Sequence, residues 1–244
     1  MALLKSDLKI CFKHIKVRDY NLKHTVMCYE FKKLNKENGY IYGIRIPYEK
    51  GVDGFFFYFP YSYVYLKEIE ERLSPLYKKY EIFTHESLET LCDITLNHSN
   101  IDKDIFGLKN TIVSIEAFDS LKNEIQRVID DYSLPFIDKY NNIENVAELI
   151  NGLKTCEVWQ CVNNQGNAYI RAALILKKAR HSSFNKKLIE YYEFYREIYK
   201  ERLIKYGECH HLTKDGYNII LAFNELFCLE LESWGYKIDH IWEK

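Results

Sequence analysis

The stretch TIVSIEAFDSLKNEIQRVIDDYSLPFIDKYNNIENVAELI, residues 111–150, joins two parts of the chain that differ in sequence pattern. It predicts a short buried strand at 112–115, an amphipathic helix, a break at Leu134-Pro135-Phe136 and further helical turns. The residues before it are typical of a sheet with helices, and those after it follow helical spacing. We therefore expect an α+β protein with an N-terminal antiparallel sheet flanked by helices and a mostly α-helical C-terminal half.

The N-terminal part predicts three strands after a first helix. Residues 3–16 favour a helix with Ser6 as a candidate cap, although residues 8–17 also alternate as a strand does. Strand-forming residues at 24–31 and an alternating run at 40–46 lie on either side of an Asn38-Gly39 turn, and Pro47 is expected to end the second run. The run FFFYF at 55–59 predicts a central strand covered on both faces, which completes an antiparallel meander.

Helical spacing then predicts the remaining elements. A helix is expected at 63–80, or a shorter one that ends at Pro75, and another at 86–97 capped near Thr84. Residues 154–162 are compatible with a strand or an irregular crossing, whereas 168–180, 183–206 and 217–234 predict helices, the last two closed by Gly207 and Gly235. We divide the chain into a sheet region, 1–117, and a helical region, 118–244, packed as one composite domain.

Composition excludes several classes of protein. The chain has 244 residues, of which 47% are hydrophobic, so it can bury a core, and its net charge of −1 gives no overall attraction to nucleic acid or acidic membranes. The cysteines number seven, an odd count without CxxC spacing, which favours a reduced intracellular protein. Neither a signal peptide nor a membrane-spanning apolar run is apparent, so we expect a cytoplasmic protein without a membrane segment.

The sequence contains no established catalytic motif. Glycine-rich phosphate loops, HExxH and GxSxG are all missing. Cys209-His210-His211 is the best metal candidate, with His240 or Cys228 as a distant ligand. Because adjacent residues on an extended chain point to opposite sides, we interpret this segment as a polar loop and expect no metal and no cofactor. His85, His98 and His181 are interpreted as capping or surface residues.

Charge is distributed unevenly along the chain. Residues 111–150 carry eight carboxylates and three cations, whereas residues 171–206 carry ten cations and four carboxylates. The two regions could pack together, or the acidic stretch could meet a basic partner and the basic helices an acidic one. Nucleic-acid binding by 171–206 is disfavoured, because the aromatics there lie at core spacing; whether the Tyr-rich helix buries its rings internally or against another chain stays open. Asp130-Asp131 is predicted at a helix end, where negative charge is unfavourable and so invites a functional interpretation.

The central segment resembles the DUF4304-like bacterial domains of unknown function. The similarity covers about 40 residues: a hydrophobic strand at 112–115, a polar helix, and then LPFIDKYNNIENVAELI. Proteins of this kind are similar to those found beside polymorphic toxins, where some act as immunity proteins. The resemblance implies binding rather than catalysis, and it assigns no functional residue.

We therefore expect a bacterial cytoplasmic binding protein rather than an enzyme, with an immunity protein that neutralises a toxin as the narrower hypothesis. The predicted contact residues for a basic protein partner are Asp119, Glu124, Asp130 and Asp131. The alternative is an enzyme or small-ligand-binding protein with its site between the sheet and the helical half. Its predicted lining residues are Tyr42, Arg45, Tyr58 and Arg171, because Arg and Tyr supply anion and ring contacts.

Overall fold

The computed structural model of the chain describes residues 4–82, 89–92, 106, 111–163 and 167–236. By their contacts these residues divide into two units. Unit 1 comprises Met1–Lys67 and Leu91–Asn141, and unit 2 comprises Glu68–Thr90 and Asn142–Lys244. The predicted division at residue 117 coincides with none of the three boundaries between these segments. The predicted α+β fold class is confirmed, with an antiparallel N-terminal sheet and a mostly helical C-terminal half.

Unit 1 carries the sheet. Its helical segments are α1 (Lys5–Phe12), α3 (Ile115–Val128), a π-helical turn (Ile129–Ser133) and α4 (Leu134–Lys139). Its strands are β1 (Asn21–His24), β2 (Cys28–Leu34), β3 (Ile41–Lys50), β4 (Phe55–Phe57), β5 (Tyr61–Tyr65) and β6 (Leu91–Cys92). Among the described residues the strand order is β1-β2-β3-β5-β6, with β4 also paired to β3, and all named pairs are antiparallel.

Unit 2 is helical where it is described. It contains most of α2 (Lys67–Lys79), followed by α5 (Ile143–Gly152), a 3-10 turn (Thr155–Glu157), α6 (Val158–Cys161), α7 (Ala168–Lys178), α8 (Phe184–Tyr206) and α9 (His211–Ser233). The helices predicted at 168–180 and 183–206 are confirmed, and Gly207 adopts the positive φ of 78° expected where α8 ends. The predicted helix at 217–234 is also present, but α9 begins earlier, at His211.

The aromatic core that holds the helices of unit 1 lies on one face of the sheet. Even-numbered residues of β3 point into it, as the alternation at 40–46 predicts, and Ile44 and Ile46 are fully buried. Phe12 of α1 stacks on Tyr29 of β2, with ring centroids 3.8 Å apart, and also contacts Phe118 of α3 at 5.2 Å. Aromatic packing therefore fixes α1 and α3 against the same sheet face.

Helix α1 confirms the helical alternative for the N-terminal segment. Leu8, Cys11 and Phe12 lie on its buried side. The predicted cap at Ser6 is wrong, because Leu4 occupies the cap position and its N–H donates to the carboxylate of Asp7 at 2.8 Å. An acid at the third helical position can satisfy this amide as well as a capping hydroxyl would satisfy another.

Several predicted strands have different bounds. The run at 24–31 divides into β1 and β2, because Thr25 N–H donates to the Cys28 carbonyl and closes a turn. Pro47 does not end β3, since it lies where β2 stops pairing and its carbonyl accepts from Tyr58 N–H. The aromatic run at 55–59 is not a central strand, because β4 has three residues and pairs with the end of β3.

Other corrections concern short apolar segments, whose sequence pattern does not distinguish a helix from a strand. Residues 61–65 form β5 rather than the start of a helix, and α2 continues through Pro75 to Lys79. Leu91 and Cys92 pair with β5 as β6, and Glu89 and Thr90 before them are not helical, which contradicts a helix there. Thr84 and residues 86–88 and 93–97 of the predicted helix lie outside the described residues. The strand at 112–115 reduces to one bridge from Ile112 to Phe55, and residues 155–161 form short helical turns.

The helix does not break at Leu134-Pro135-Phe136. Proline has no N–H and its ring crowds the carbonyl four residues earlier, so a regular α-turn at Pro135 is disfavoured. The chain widens into the π-helical turn, where Leu134 N–H donates to the Ile129 carbonyl, and then resumes as α4. Asp130 and Asp131 thus lie inside a continuous helical segment, and their predicted position at a helix end is wrong.

Gly43 of β3 makes room for an aromatic ring of the neighbouring strand. Tyr63 of β5 is its register partner, and a Cβ at residue 43 would overlap the Tyr63 ring. Tyr63 is fully buried, so its ring has little freedom to move aside. The missing side chain is therefore required by packing.

We predict that Gly43→Ala destabilises the protein by about 1–3 kcal/mol, because the added methyl group forces the Tyr63 ring or the backbone to shift. Urea denaturation followed by circular dichroism measures this loss. The matched control is Gly152→Ala, since a methyl group added there would meet no neighbouring side chain or chain segment within 4 Å. A Gly43→Ala protein as stable as the control variant would contradict the packing argument.

Candidate functional site

A cleft in unit 1 lies between α1 and α3 and has a volume of about 380 Å³. Seven side chains line it: Asp7, Ile10, Cys11, His14, Ile115, Asp119 and Lys122. The first four come from α1 and the turn after it, and the last three from α3. The packing of Phe12 against the sheet and Phe118 positions the two helices, so the cleft is a consequence of the core.

The apolar wall of the cleft is formed by two isoleucines that the core does not use. Ile10 is 58% exposed because α1 turns Leu8, Cys11 and Phe12 inward instead. Ile115 is 44% exposed because it is the first residue of α3, directly after the capping residue Ser114. Ile10 and Ile115 thus give the cleft an apolar wall that is open to solvent.

The charged side of the cleft is formed by two carboxylates and one ammonium group. Asp119 is 59% exposed and pairs with Lys122 at 2.7 Å. Asp7 accepts the N–H of Leu4 and so is held at the start of α1. The carboxylates outnumber the lysine, which leaves the cleft with a surplus of negative charge at neutral pH.

Cys11 lies in the cleft but is not an activated nucleophile. Burial raises the pKa of its thiol, the nearby Asp119 carboxylate raises it further, and Lys122 opposes these effects. A raised pKa means less thiolate at any given pH below it, and the thiolate is the reactive form. The cleft therefore offers Cys11 as a weakly polar surface rather than as a catalytic group.

We predict that iodoacetamide at pH 8 modifies Cys11 more slowly than Cys156 and Cys209. The last two are exposed, whereas Cys11 is buried and its raised pKa keeps it protonated. Mass spectrometry of peptides from a time course gives the three rates. Faster alkylation at Cys11 would contradict this assignment and would favour the enzyme hypothesis.

The other predicted acidic residues are not part of the cleft lining. Glu124 forms two hydrogen bonds with Arg127, at 2.9 and 2.5 Å, and Asp131 lies 3.6 Å from the same guanidinium. This segment is therefore partly neutralised within its own helix. Of the four predicted contact residues, Asp119 alone belongs to the cleft lining.

Asp130 has a structural role. Gln126 accepts the N–H of Lys16 and donates to the carbonyl of the same residue, each at 2.9 Å, and its amide group also donates to Asp130. The carboxylate thus fixes which way the Gln126 amide faces, and Gln126 holds the chain after α1 on α3. None of these three residues belongs to the cleft lining.

Within unit 1, the residues of the alternative ligand pocket do not share one surface. Tyr42 and Arg45 lie on opposite faces of β3, since they are three residues apart in a strand. Tyr42 is buried with its hydroxyl on the Asn141 carbonyl, and Tyr58 donates to Glu49. Arg171 belongs to unit 2.

Arg171 is the centre of a buried polar network in unit 2. Its guanidinium makes two hydrogen bonds to Glu70, at 2.8 and 3.1 Å, and a third to the Asn163 carbonyl. Thr90 donates to the same carboxylate. A buried guanidinium with these partners stabilises a local arrangement of chain segments, since breaking it would leave an uncompensated charge.

The basic helix α8 neutralises much of its own charge. Arg196 pairs with Glu193 and Lys200 with Glu197, each three residues apart. Tyr191, Tyr192 and Tyr195 of α8 are buried within the single chain, so the question that the sequence left open is answered for these three rings, whereas Tyr206 is 41% exposed. The Tyr192 hydroxyl donates to Asn224 of α9.

The predicted metal candidate instead forms a helix start. His210 accepts the Leu212 N–H as the cap of α9, and its ring stacks on Tyr206 at 4.5 Å. Within the described part of the chain, no group of three potential ligands is close enough to hold a metal ion. His181 accepts the Ser183 N–H before α8 and lies 3.1 Å from Glu148, whereas His85, His98 and His240 fall outside the described residues.

Sequence reasoning missed most of the cleft residues. Ile10 gave a usable signal, because it falls outside the helical spacing of Leu8, Cys11 and Phe12 and is therefore an apolar residue on an outer face. Ile115 and Asp7 gave no such signal, since these two residues lie near each other only because α1 packs beside α3.

No helix in the described part of the chain is long and apolar enough to span a membrane. Comparisons with protein-family models, curated proteins and solved structures found no match. The fold and the cleft thus define an α+β protein with an amphiphilic surface cleft, and the resemblance to the DUF4304-like domains stays a prediction.

Proposed function

We propose that this chain is a binding protein that recognises a segment of another protein in the cleft between α1 and α3. The observation that carries the proposal is the exposed Asp119 carboxylate beside the exposed side chains of Ile10 and Ile115. Protein contact surfaces combine apolar area with a few charged groups in this way. Binding rather than catalysis is further supported by the protonated Cys11 thiol.

The partner segment should present a basic side chain next to an aliphatic one. The surplus of carboxylates in the cleft attracts an arginine or lysine, and the two isoleucines offer apolar contact. The Asp119–Lys122 pair is solvent-exposed, and such pairs contribute about 0–1 kcal/mol. A partner cation can therefore replace Lys122 at little cost.

The apolar contribution to binding comes from the exposed parts of Ile10 and Ile115. Full burial of an isoleucine side chain stabilises by about 1.5–3 kcal/mol, and roughly half of each cleft isoleucine is exposed. Covering both would contribute about 2 kcal/mol, which corresponds to about 30-fold in affinity. These two contributions are smaller than the cost of association, so they form only part of the contact with the partner.

We predict that Asp119→Lys weakens binding of a fluorescent peptide of alternating Leu and Arg by about tenfold or more, because it replaces attraction with repulsion. Ile10→Ala should weaken it by about fivefold through lost apolar contact. Fluorescence anisotropy measures both affinities, and raising the salt concentration should narrow the difference between wild type and Asp119→Lys.

The matched control is Asp131→Lys, the same charge reversal at an exposed position in the helical turn that continues α3. It lies outside the cleft lining and should leave the affinity within about twofold of wild type. Equal losses of affinity in both variants would indicate diffuse electrostatic attraction and would refute binding in the cleft. Preference of the wild type for a matching Leu/Glu peptide would also refute it.

The narrower proposal is an immunity protein, which acts in the cytoplasm by covering the active site of a basic toxin. Its support is the resemblance at residues 111–150 together with the acidic cleft that this segment helps to line. All seven cysteines are free thiols, a state that fits a reducing compartment. This role requires a contact surface and no reaction.

We predict that co-expression of this chain with a toxin encoded beside its gene restores bacterial growth, and that Asp119→Lys abolishes the protection. Colony counts after induction of the toxin measure this effect, with Asp131→Lys as the control. Growth arrest that the wild-type chain does not relieve would exclude the immunity role, whereas the peptide measurement would still test the cleft.

A further inference from the structure

The face of the sheet opposite the aromatic core carries a cluster of cations. Strand register places Lys23 of β1 opposite Glu30 of β2, and Glu30 opposite Arg45 of β3. Lys32 lies two residues from Glu30 on the same face and opposite Gly43. Lys32 is therefore a diagonal neighbour of both Lys23 and Arg45, at about 7–8 Å along the sheet surface, which long side chains span easily.

Glu30 is already committed to holding Arg45. One of its carboxylate oxygens accepts Arg45 Nε at 2.8 Å and the Tyr63 hydroxyl at 2.9 Å. The Arg45 guanidinium also lies over the Tyr63 ring, 4.7 Å from its centroid, and donates to Tyr61. These contacts fix Arg45 in place on this face.

Lys23 and Lys32 lack such compensation among the described residues, where neither forms an ion pair or a side-chain hydrogen bond. Lys32 is also half-buried. Burial lowers the pKa of its ammonium group, Glu30 opposes this, and Lys23 and Arg45 lower it further. A half-buried ammonium group whose one neighbouring carboxylate already pairs with Arg45 is stabilised when a further anion approaches it.

We propose that Lys23, Lys32 and Arg45 form a binding site for a phosphate-bearing small molecule on this face of the sheet. Three cations and one carboxylate leave a surplus of two positive charges. A phosphate monoester carries about −1.5 to −2 at neutral pH, so its charge matches this surplus. Lys23 and Lys32 contact the phosphate, and Arg45, positioned by Glu30 and Tyr63, adds to the field.

This site is independent of the proposed function, because the cleft lies on the other side of the sheet core, against α1 and α3. It also gives Arg45 a role other than the one predicted from the sequence. Arg45 does not share a pocket with Tyr42, but its neighbours on this face are the two lysines and Tyr61.

The test uses the full chain with inorganic phosphate as the probe, titrated at constant ionic strength against sodium chloride. Chemical shifts of backbone amides in a two-dimensional NMR spectrum report the binding site and the affinity. We expect the amides of Lys23 and Lys32 to shift, and Lys32→Gln to weaken binding by about tenfold or more, as for loss of a charge-assisted hydrogen bond. Lys23→Gln should weaken it by a smaller factor.

The matched control is Lys36→Gln, the same substitution in the exposed turn between β2 and β3, which should leave the affinity unchanged. Lys23 is exposed on an edge strand, so its variant reports on the site even if Lys32→Gln does not fold. Binding that is unchanged in Lys23→Gln, or amide shifts that exclude both lysines at millimolar phosphate, would overturn the proposal. Asp119→Lys should bind phosphate as the wild type does, so the two sites fail or succeed separately.

Discussion

The stack of Phe12 on Tyr29 is the contact on which the rest of unit 1 depends. Phe12 is fully buried, and its ring touches the sheet through Tyr29 and Phe57 and α3 through Phe118. The Tyr29 hydroxyl has no hydrogen-bond partner among the described atoms, and burial raises its pKa. An unpaired buried hydroxyl costs about 1–3 kcal/mol, so the ring packing must offset that cost. Without it α1 would have no fixed place beside α3, and the cleft would not exist.

The sequence predicted those parts of the fold that depend on local periodicity. Helices α7 and α8 follow from apolar spacing over three or more turns, and the alternation at 40–46 identified the buried face of β3. The errors lie where tertiary contacts decide. Tyr61–Tyr65 is too short for its pattern to distinguish strand from helix, and its pairing with β3 made it β5. Pro47 lies inside β3 because the strand changes partners there, which local sequence does not reveal.

The candidate sites were predictable to different degrees. Charge density identified the acidic segment but not its geometry, because the helical turn places Asp119 toward α1 while Arg127 lies between Glu124 and Asp131. The cleft brings together residues of α1 and α3 that are about a hundred positions apart in the chain. Sequence composition therefore could not predict it. The pairing of Glu30 with Arg45 did not follow from the predicted Asn38-Gly39 turn, because a two-residue turn there would place Glu30 opposite Pro47. The connection between the strands is residues 35–40, so Leu34 lies opposite Ile41 and Glu30 opposite Arg45.

The same register connects the two sites physically. Consecutive residues of β2 point to opposite faces of the sheet: Tyr29 stacks on Phe12, and Glu30 accepts a hydrogen bond from Arg45. A slip of one residue would exchange these faces, and a carboxylate would enter the aromatic core while a tyrosine left it. The free-energy cost of burying that unpaired carboxylate would exceed the stabilisation that a surface contact provides. Each site thus inherits its geometry from the aromatic core, and the positive φ of 73° at Gly39, which lets the β2–β3 turn close, helps to set that register. The conformation of this turn therefore affects the side chains on both faces of the sheet.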